Sequence, residues 1–314
     1  MPPLRFLIRG ACAAPHKEKL YRGGEDAFFL SHFGLGVADG VGGWADAGIN
    51  PAVYARKLMS SALSAITGTT NAALSPAVKT ALHALSTAYA EAHKARLQGS
   101  CTAALCLVND DRKALDFVHV GDCGIVVMRA GAVVYRSKEQ QEQFNFPLQL
   151  GTQSPTTPDH GERYTLVPAQ PYDLVLLGSD GLFDNLFDDH IEKEMQLASK
   201  GSPASIVDCS KLATQLVVKA YEHSQDPRKL SPFSAKAAEH GLRYQGGKPD
   251  DITAVIGQLF EGTEKGLAEA IQIQERSVGQ LKDGAFRFGG SSNIAIMEDF
   301  FPAKVSSTLR QSKL

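Results

Sequence analysis

The chain has 314 residues, 43% of them hydrophobic and 21% charged, with a formal net charge of −2. That balance allows a sizeable buried core and offers no broad basic face, which argues against nucleic acid and anionic membrane as partners. The five cysteines (Cys12, Cys101, Cys106, Cys123, Cys209) are odd in number and lack CxxC spacing, so a reducing, intracellular compartment is expected rather than a disulfide framework or zinc site.

No apolar run reaches the roughly 18 residues that a membrane-spanning helix needs. The first residues, through Leu4, Phe6 and Ile8, are basic and free of acids up to Glu18. Transit-peptide remnants share that pattern, but an ordinary N-terminal strand is the reading taken. A turn at Arg22-Gly23-Gly24 leads to Glu25-Asp26 and the apolar strand Ala27–Leu30. Gly34–Ala38 is a strand feeding the turn Asp39-Gly40-Val41-Gly42-Gly43, where glycines admit close approach of the backbone or positive φ. Asn50 and Pro51 form a helix start, followed by Val53, Leu58, Met59, Ala62, Leu63 and Ile66 at helical spacing. A second helix is predicted from Ser75-Pro76, with Val78, Leu82, Leu85 and Tyr89 as its apolar stripe.

From Gly99 the period becomes that of strands: Thr102–Val108, Leu115–Val120 and Gly124–Met128, then a hairpin at Ala130-Gly131 into Val133–Arg136. Ser137 to Asn145 is a polar connector, and Gly151–Pro158 reads as an exposed, mobile loop. Strands Tyr164–Val167 and Asp173–Leu177 lead to a second Asp-Gly at Asp180-Gly181. Helices are predicted at Asp188–Ala198 and Pro203–Tyr221, an irregular stretch at Ser224–Gly247, and a last strand at Ile252–Phe260 after Pro249-Asp250-Asp251. Strand runs mixed with helix pairs predict an α+β fold with an antiparallel core, two sheets covered by helices. The chain divides into residues 1–261 and a C-terminal extension, 262–314, with a helix to about Arg276 and otherwise loosely ordered.

Acids recur beside strand ends: Glu25-Asp26, Asp39, Asp122, Asp180 with Asp184, and Asp250. A single Asp-Gly is most simply a turn. Several acids beside buried strands are costly unless paired or metal-bound, and no arginine lies within a few residues of Asp39, Asp180 or Asp250. Oxygen ligands of this kind suit Mg²⁺, Mn²⁺ or Ca²⁺. There is no GxSxG elbow, HExxH, GxxxxGK[ST] loop or DxDxDG loop. His119 reads as a hydrogen-bonded core residue and Cys123 as a packed thiol.

These acids stand in sequence motifs: Glu25-Asp26, Ala38-Asp39-Gly40-Val41-Gly42-Gly43, Gly99-Ser100-Cys101-Thr102-Ala103, Val120-Gly121-Asp122, Ser179-Asp180-Gly181-Leu182-Phe183-Asp184-Asn185 and Lys248-Pro249-Asp250-Asp251-Ile252-Thr253. In this order they resemble the type-2C (PPM) metal-dependent Ser/Thr protein phosphatases, over about residues 15–260. Gly42-Gly43-Trp44, Glu139-Gln140-Gln141, Phe144-Asn145, Ser231-Pro232-Phe233 and Gly246-Gly247-Lys248 resemble the organellar branch, which includes T-cell-activation phosphatase-like proteins and plant plastid relatives. A mitochondrial or plastid location is the corresponding expectation.

The resemblance implies an α-β-β-α sandwich with two Mn²⁺ or Mg²⁺ ions at one edge. Asp39 would bridge both ions and the Gly40 carbonyl would bind one. Asp180 and Asp250 would ligate one ion, Glu25 the other, and Asp26 would orient a water. Asp122 and Asp184 would hold a weaker third ion. The implied reaction is direct hydrolysis of phosphoserine or phosphothreonine in a phosphoprotein by an activated water, by a monomeric enzyme. Val41 stands where many members have a histidine acid, and Tyr21 where many have a phosphate-binding arginine, which leaves Arg22 as the candidate phosphate ligand. A non-catalytic binding module and a phosphatase for small phosphate esters are the alternative readings.

Overall fold

The computed structural model describes residues 4–68, 76–199, 202, 204–263 and 294–296. Two sheets stack face to face. One has the order β14-β1-β13-β12-β6-β7, built from β1 (Leu4–Ala14), β6 (Gly124–Arg129), β7 (Ala132–Arg136), β12 (Leu174–Gly178), β13 (Ile252–Gly262) and β14 (Ile294–Ile296). The other has the order β11-β5-β4-β3-β2, from β2 (Ala27–Leu30), β3 (Gly34–Gly40), β4 (Ser100–Asn109), β5 (Ala114–Val120) and β11 (Glu162–Leu166), with β10 (Leu150–Gly151) also paired to β4. All strand pairs within the two sheets are antiparallel except β1 with β14.

Side-chain alternation explains the layering. On β1, Phe6, Ile8 and Cys12 face α5 (Cys209–Ser224), whereas Leu7 and Ala11 enter the space between the sheets. On β4, Leu105 and Leu107 pack under α1 (Pro51–Thr67) and α2 (Ala81–Lys94), while Ala104 and Cys106 point inward. The fold is therefore the expected α-β-β-α sandwich, the period-2 burial of strands being served on both faces.

The strand and α1 expectations hold closely, and Asn50 caps α1 by accepting from the Ala52 amide at 3.1 Å. Val53, assigned to its buried stripe, is exposed. The helix predicted from Ser75-Pro76 begins instead at Ala81. Thr80 caps it, accepting from the His83 amide at 3.1 Å, while Asp116 takes the Ala81 amide at 2.8 Å; Ser75 lies outside the described residues. Likewise α5 begins at Cys209, capped by Asp208 through the Lys211 amide at 3.0 Å, not at Pro203. The helix Asp188–Ala198 (α4) matches its expected bounds. The stretch read as irregular contains α6 (Pro232–Glu239), started by a Ser231–Ser234 capping box. The polar connector contains a small hairpin, β8 (Gln141–Gln143) with β9 (Phe146–Pro147), and Thr156 and Pro158 of the loop read as exposed are buried. The helix predicted toward Arg276 lies outside the described residues. All five cysteines are free and buried, as expected.

A Cβ at Gly10 would meet the Ser210 backbone nitrogen at 2.3 Å, so β1 and α5 approach as closely as they do only because position 10 has no side chain. Gly10→Ala is expected to cost about 1–3 kcal/mol or more in urea unfolding, by pushing α5 off the sheet. Gly43→Ala, with no atom within 4 Å of the new Cβ, should stay near wild type. His32 supplies a pH test. Burial first, and then the Arg9 guanidinium with Nη1 2.8 Å from His32 Nδ1, depress the ring from its ordinary 6.5 to about 4. The unfolded ring therefore binds protons that the folded ring refuses, and its contribution to stability, complete above 6.5, is lost as pH falls toward 4. Denaturant midpoints across that range should fall less steeply with acidification in His32→Gln than in the wild type.

Candidate active site

Three strand ends deliver the acids to one edge of the sandwich. β12 and β13 are hydrogen-bonded neighbours with Gly178 opposite Ala254, so Asp180, just after β12, and Asp250, just before β13, emerge together. Asp39 comes from the second sheet at the end of β3, opposite Thr102. The Asp180-Gly181 step is not a turn but the start of a one-turn helix, α3 (Asp180–Phe183), which places Asp184 directly beyond it.

Glycine acts here through space rather than through φ. None of Gly40, Gly42 and Gly43 has positive φ. A Cβ on Gly40 would lie 2.9 Å from both the Glu25 carbonyl oxygen and Pro51, and one on Gly181 would lie 2.1 Å from the Asp251 carbonyl oxygen. The glycine of each Asp-Gly pair thus lets its neighbour's carboxylate be pressed against another acidic segment.

The carboxylates feel one another. Asp39 is half-buried, and its carboxyl is raised well above the usual range by burial and then by the charges of Asp26, Asp180 and Asp250. Asp26 is pushed up to about 8 by burial and by Asp251, although Thr253 donates to its Oδ2 at 2.6 Å. Burial also raises Asp122, with Asp180 adding to it, and lifts Asp184 to about 6 against the pull of Lys248. Asp180 is lowered: burial works against its charge, but the Lys248 ammonium, 2.5 Å from its Oδ2, prevails. Asp26, Asp39, Asp122, Asp180, Asp184 and Asp250 therefore act on one another within one region.

Two lysines and one arginine stand against these acids. Lys248 Nζ lies 2.5 Å from Asp180 Oδ2, 2.7 Å from Asp184 Oδ2 and 3.5 Å from Asp250 Oδ2. Lys19 Nζ lies 2.6 Å from Glu25 Oε2, 3.1 Å from Asp251 Oδ2 and 3.4 Å from Asp250 Oδ1. Arg22 pairs with the other oxygen of Glu25. Lys248 stands two residues before Asp250 and Lys19 six before Glu25, signals available in the sequence; the pairing of Lys19 with Asp250 and Asp251 crosses more than two hundred residues.

Asp251, part of the acidic step Asp250-Asp251 but given no role by the sequence, has a structural one. Its buried carboxylate accepts from the His16 amide at 2.7 Å and the Glu25 amide at 2.9 Å, clasping the segment that carries Lys19, Arg22 and Glu25. His119 and Cys123 take the roles expected of them: His119 Nε2 meets the Lys138 carbonyl at 2.7 Å, and Cys123 Sγ lies 3.1 Å from Thr102 Oγ1. Val41 directs no polar side chain at the acids, and Tyr21 is 72% exposed.

Whether these residues suit divalent cations can be judged from their oxygens. Among the described residues no three acidic, imidazole or thiol side chains are already gathered as a cage for one ion. Yet Oδ1 of Asp26 and Oδ1 of Asp180 are buried without hydrogen-bond partners, in a region where negative charge exceeds positive. An all-oxygen donor set with unpartnered oxygens and surplus charge fits Mn²⁺ or Mg²⁺.

A model of the protein phosphatase 2C family matches residues 25–217. The chain is 37% identical to the probable protein phosphatase 2C 55 of Arabidopsis thaliana, across 84% of this chain and 54% of that protein. It is 34% identical to the protein phosphatase PTC7 homolog of Homo sapiens, across 82% of this chain and 84% of that protein. The chain belongs to the protein phosphatase 2C family, a family of hydrolases. It spans little more than half the length of two Arabidopsis thaliana relatives, 54% and 58%. The photosystem II phosphatase PBCP shares the fold with a TM-score of 0.67 and 30% identity, covering 80% of this chain and 98% of that one. The catalytic domain of the serine threonine protein phosphatase PstP, in complex with two manganese ions, shares it with a TM-score of 0.55 at 19% identity, over 82% of this chain and 99% of that one.

The clasp made by Asp251 is testable. Asp251→Asn turns one acceptor oxygen into a donor facing backbone N–H groups and removes a partner of Lys19. A loss of about 1–3 kcal/mol is expected in urea unfolding, with faster hydrogen exchange at the Glu25 amide.

Proposed function

We propose that the chain hydrolyses phosphoserine and phosphothreonine in proteins at a binuclear Mn²⁺ or Mg²⁺ centre built on Asp39. The observation that carries this reading is the packing of Asp26, Asp39, Asp180 and Asp250 so closely that the Asp39 carboxyl is driven toward its neutral form, while oxygens of Asp26 and Asp180 stay unpartnered. Such an arrangement is costly without cations and apt with them. Bound divalent ions would neutralise the phosphoryl oxygens and lower the pKa of water.

The chain's own residues would supply the rest. Asp39 would lie between the two ions with the Gly40 carbonyl beside it. Asp180 would offer its free Oδ1 to one ion together with Asp250, and Glu25 would serve the other. Asp26, held by Thr253 through Oδ2, would use its free Oδ1 to orient the attacking water. Arg22, paired with Glu25 beside the acids, would supply the cationic contact to a phosphate oxygen that Tyr21 cannot. With Val41 in the turn, no side chain there protonates the leaving alkoxide, so that proton falls to water. The likeness to the photosystem II phosphatase PBCP supports an organellar setting for this activity, which fractionation of the native protein would test.

Mn²⁺-dependent hydrolysis of an aryl phosphate and of a phosphothreonine peptide is the direct test. Wild type should cleave both, and Asp39→Asn should lose at least about 10²-fold in kcat. The same substitution removes a repelled carboxylate, so in chelator Asp39→Asn should melt at a higher temperature than wild type. Cleavage of the small ester alone would favour the small-ester reading. Metal binding without any turnover would favour the binding module.

A further inference from the structure

Lys248 is fixed from both ends. Its amide donates to Asn185 Oδ1 and its carbonyl accepts from Asn185 Nδ2, both at 2.9 Å, and Asn185 is fully buried. Its ammonium lies 5.0 Å from the centre of the Phe233 ring, and the Phe233 amide in turn donates to the Asp184 carbonyl at 3.1 Å. An ammonium has three donors, and here Asp180, Asp184 and Asp250 face them. The two oxygens of Asp180 are thereby divided: Oδ2 meets Lys248, and Oδ1 is left without a partner.

We propose that the Lys248 ammonium is the resident counter-cation of this centre and occupies the place that a third divalent ion would take beside Asp184. The inference rests on the binuclear reading above. It assigns Asp184 to Lys248 rather than to an ion and limits the centre to two divalent ions. A third ion would have to displace an ammonium that lies near an aromatic face and whose backbone is anchored by a buried asparagine. A single positive charge pairs Asp180 and Asp184 without drawing Asp180 Oδ1 away from the ions. The segment Gly246-Gly247-Lys248-Pro249 thus supplies a fixed charge where a weakly held metal would come and go with its concentration.

Equilibrium dialysis of the full chain against millimolar Mn²⁺, with melting in EDTA, tests this. Wild type should hold two ions. Lys248→Met, which keeps the stem and removes the charge, should hold three. In EDTA it should melt about 5–10 °C lower, because three buried carboxylates lose their counter-charge. Adding Asp184→Asn to Lys248→Met should abolish the third ion and recover part of the melting temperature. Should Lys248→Met fail to fold, Asp184→Asn alone decides the matter: its count stays at two if Asp184 serves Lys248. Three ions in wild type, or loss of an ion in Asp184→Asn, would overturn the proposal. So would two ions in a folded Lys248→Met that melts as wild type does in EDTA. A wild type that binds no Mn²⁺ would instead overturn the binuclear reading itself.

Discussion

Repulsion among carboxylates held at one edge of the sandwich is the constraint to which the rest of the molecule is fitted. Two like charges 4 Å apart interact by about 4 kcal/mol at the effective dielectric of a protein surface, so a group of this size would scatter if it sat on flexible loops. It does not, because its members are mounted on hydrogen-bonded strand ends. β12 and β13 carry Asp180 and Asp250, and β3, registered on β4, carries Asp39. Buried apolar side chains between the sheets and beneath the helices hold those strands in place. The stability of the core thus offsets the strain of the edge.

The glycines and Asp251 convert that rigidity into closeness. Gly40 brings the Asp39 turn against Glu25, and Gly181 brings α3 against the Asp251 backbone. Asp251 then binds the His16 and Glu25 amides, so the segment bearing Lys19 and Arg22 is fastened to the strand bearing Asp250. Every part of the site is consequently tied to another part. A substitution at one of these contacts would be felt at carboxylates it does not touch.

Much of this was legible in the sequence, for identifiable reasons. Strand cores such as β4 and β13 are dense in apolar and β-branched residues, and burial on both faces leaves them no competing structure. The acids were legible because each stands at the end of such a run. Helix starts were less so. Ser75-Pro76 and Ser202-Pro203 looked like start signals, yet Thr80 and Asp208 cap the helices, since tertiary contacts such as Asp116 to the Ala81 amide decide where the backbone turns. The helix α6 was hidden because it is short, and its capping box was read as part of an irregular segment. The pairing of Lys19 with Asp250 spans 231 residues and no local pattern encodes it, whereas Lys248 stands two residues before Asp250.

Charge at the edge bears on whether the site is for catalysis or merely for binding. Eight carboxylates, those of Glu25, Asp26, Asp39, Asp122, Asp180, Asp184, Asp250 and Asp251, stand against four cationic side chains, Lys19, Arg22, Lys248 and the more distant Arg56. With all eight ionised, the excess of four negative charges would match two divalent cations. A protein that only recognised phosphorylated partners would gain from a net positive surface, since phosphate is itself an anion. Here the chain's own cations are spent on its own acids, and a phosphate could approach only once further positive charge had been supplied. On the proposed binuclear reading, the ions would therefore have to come first and the substrate second.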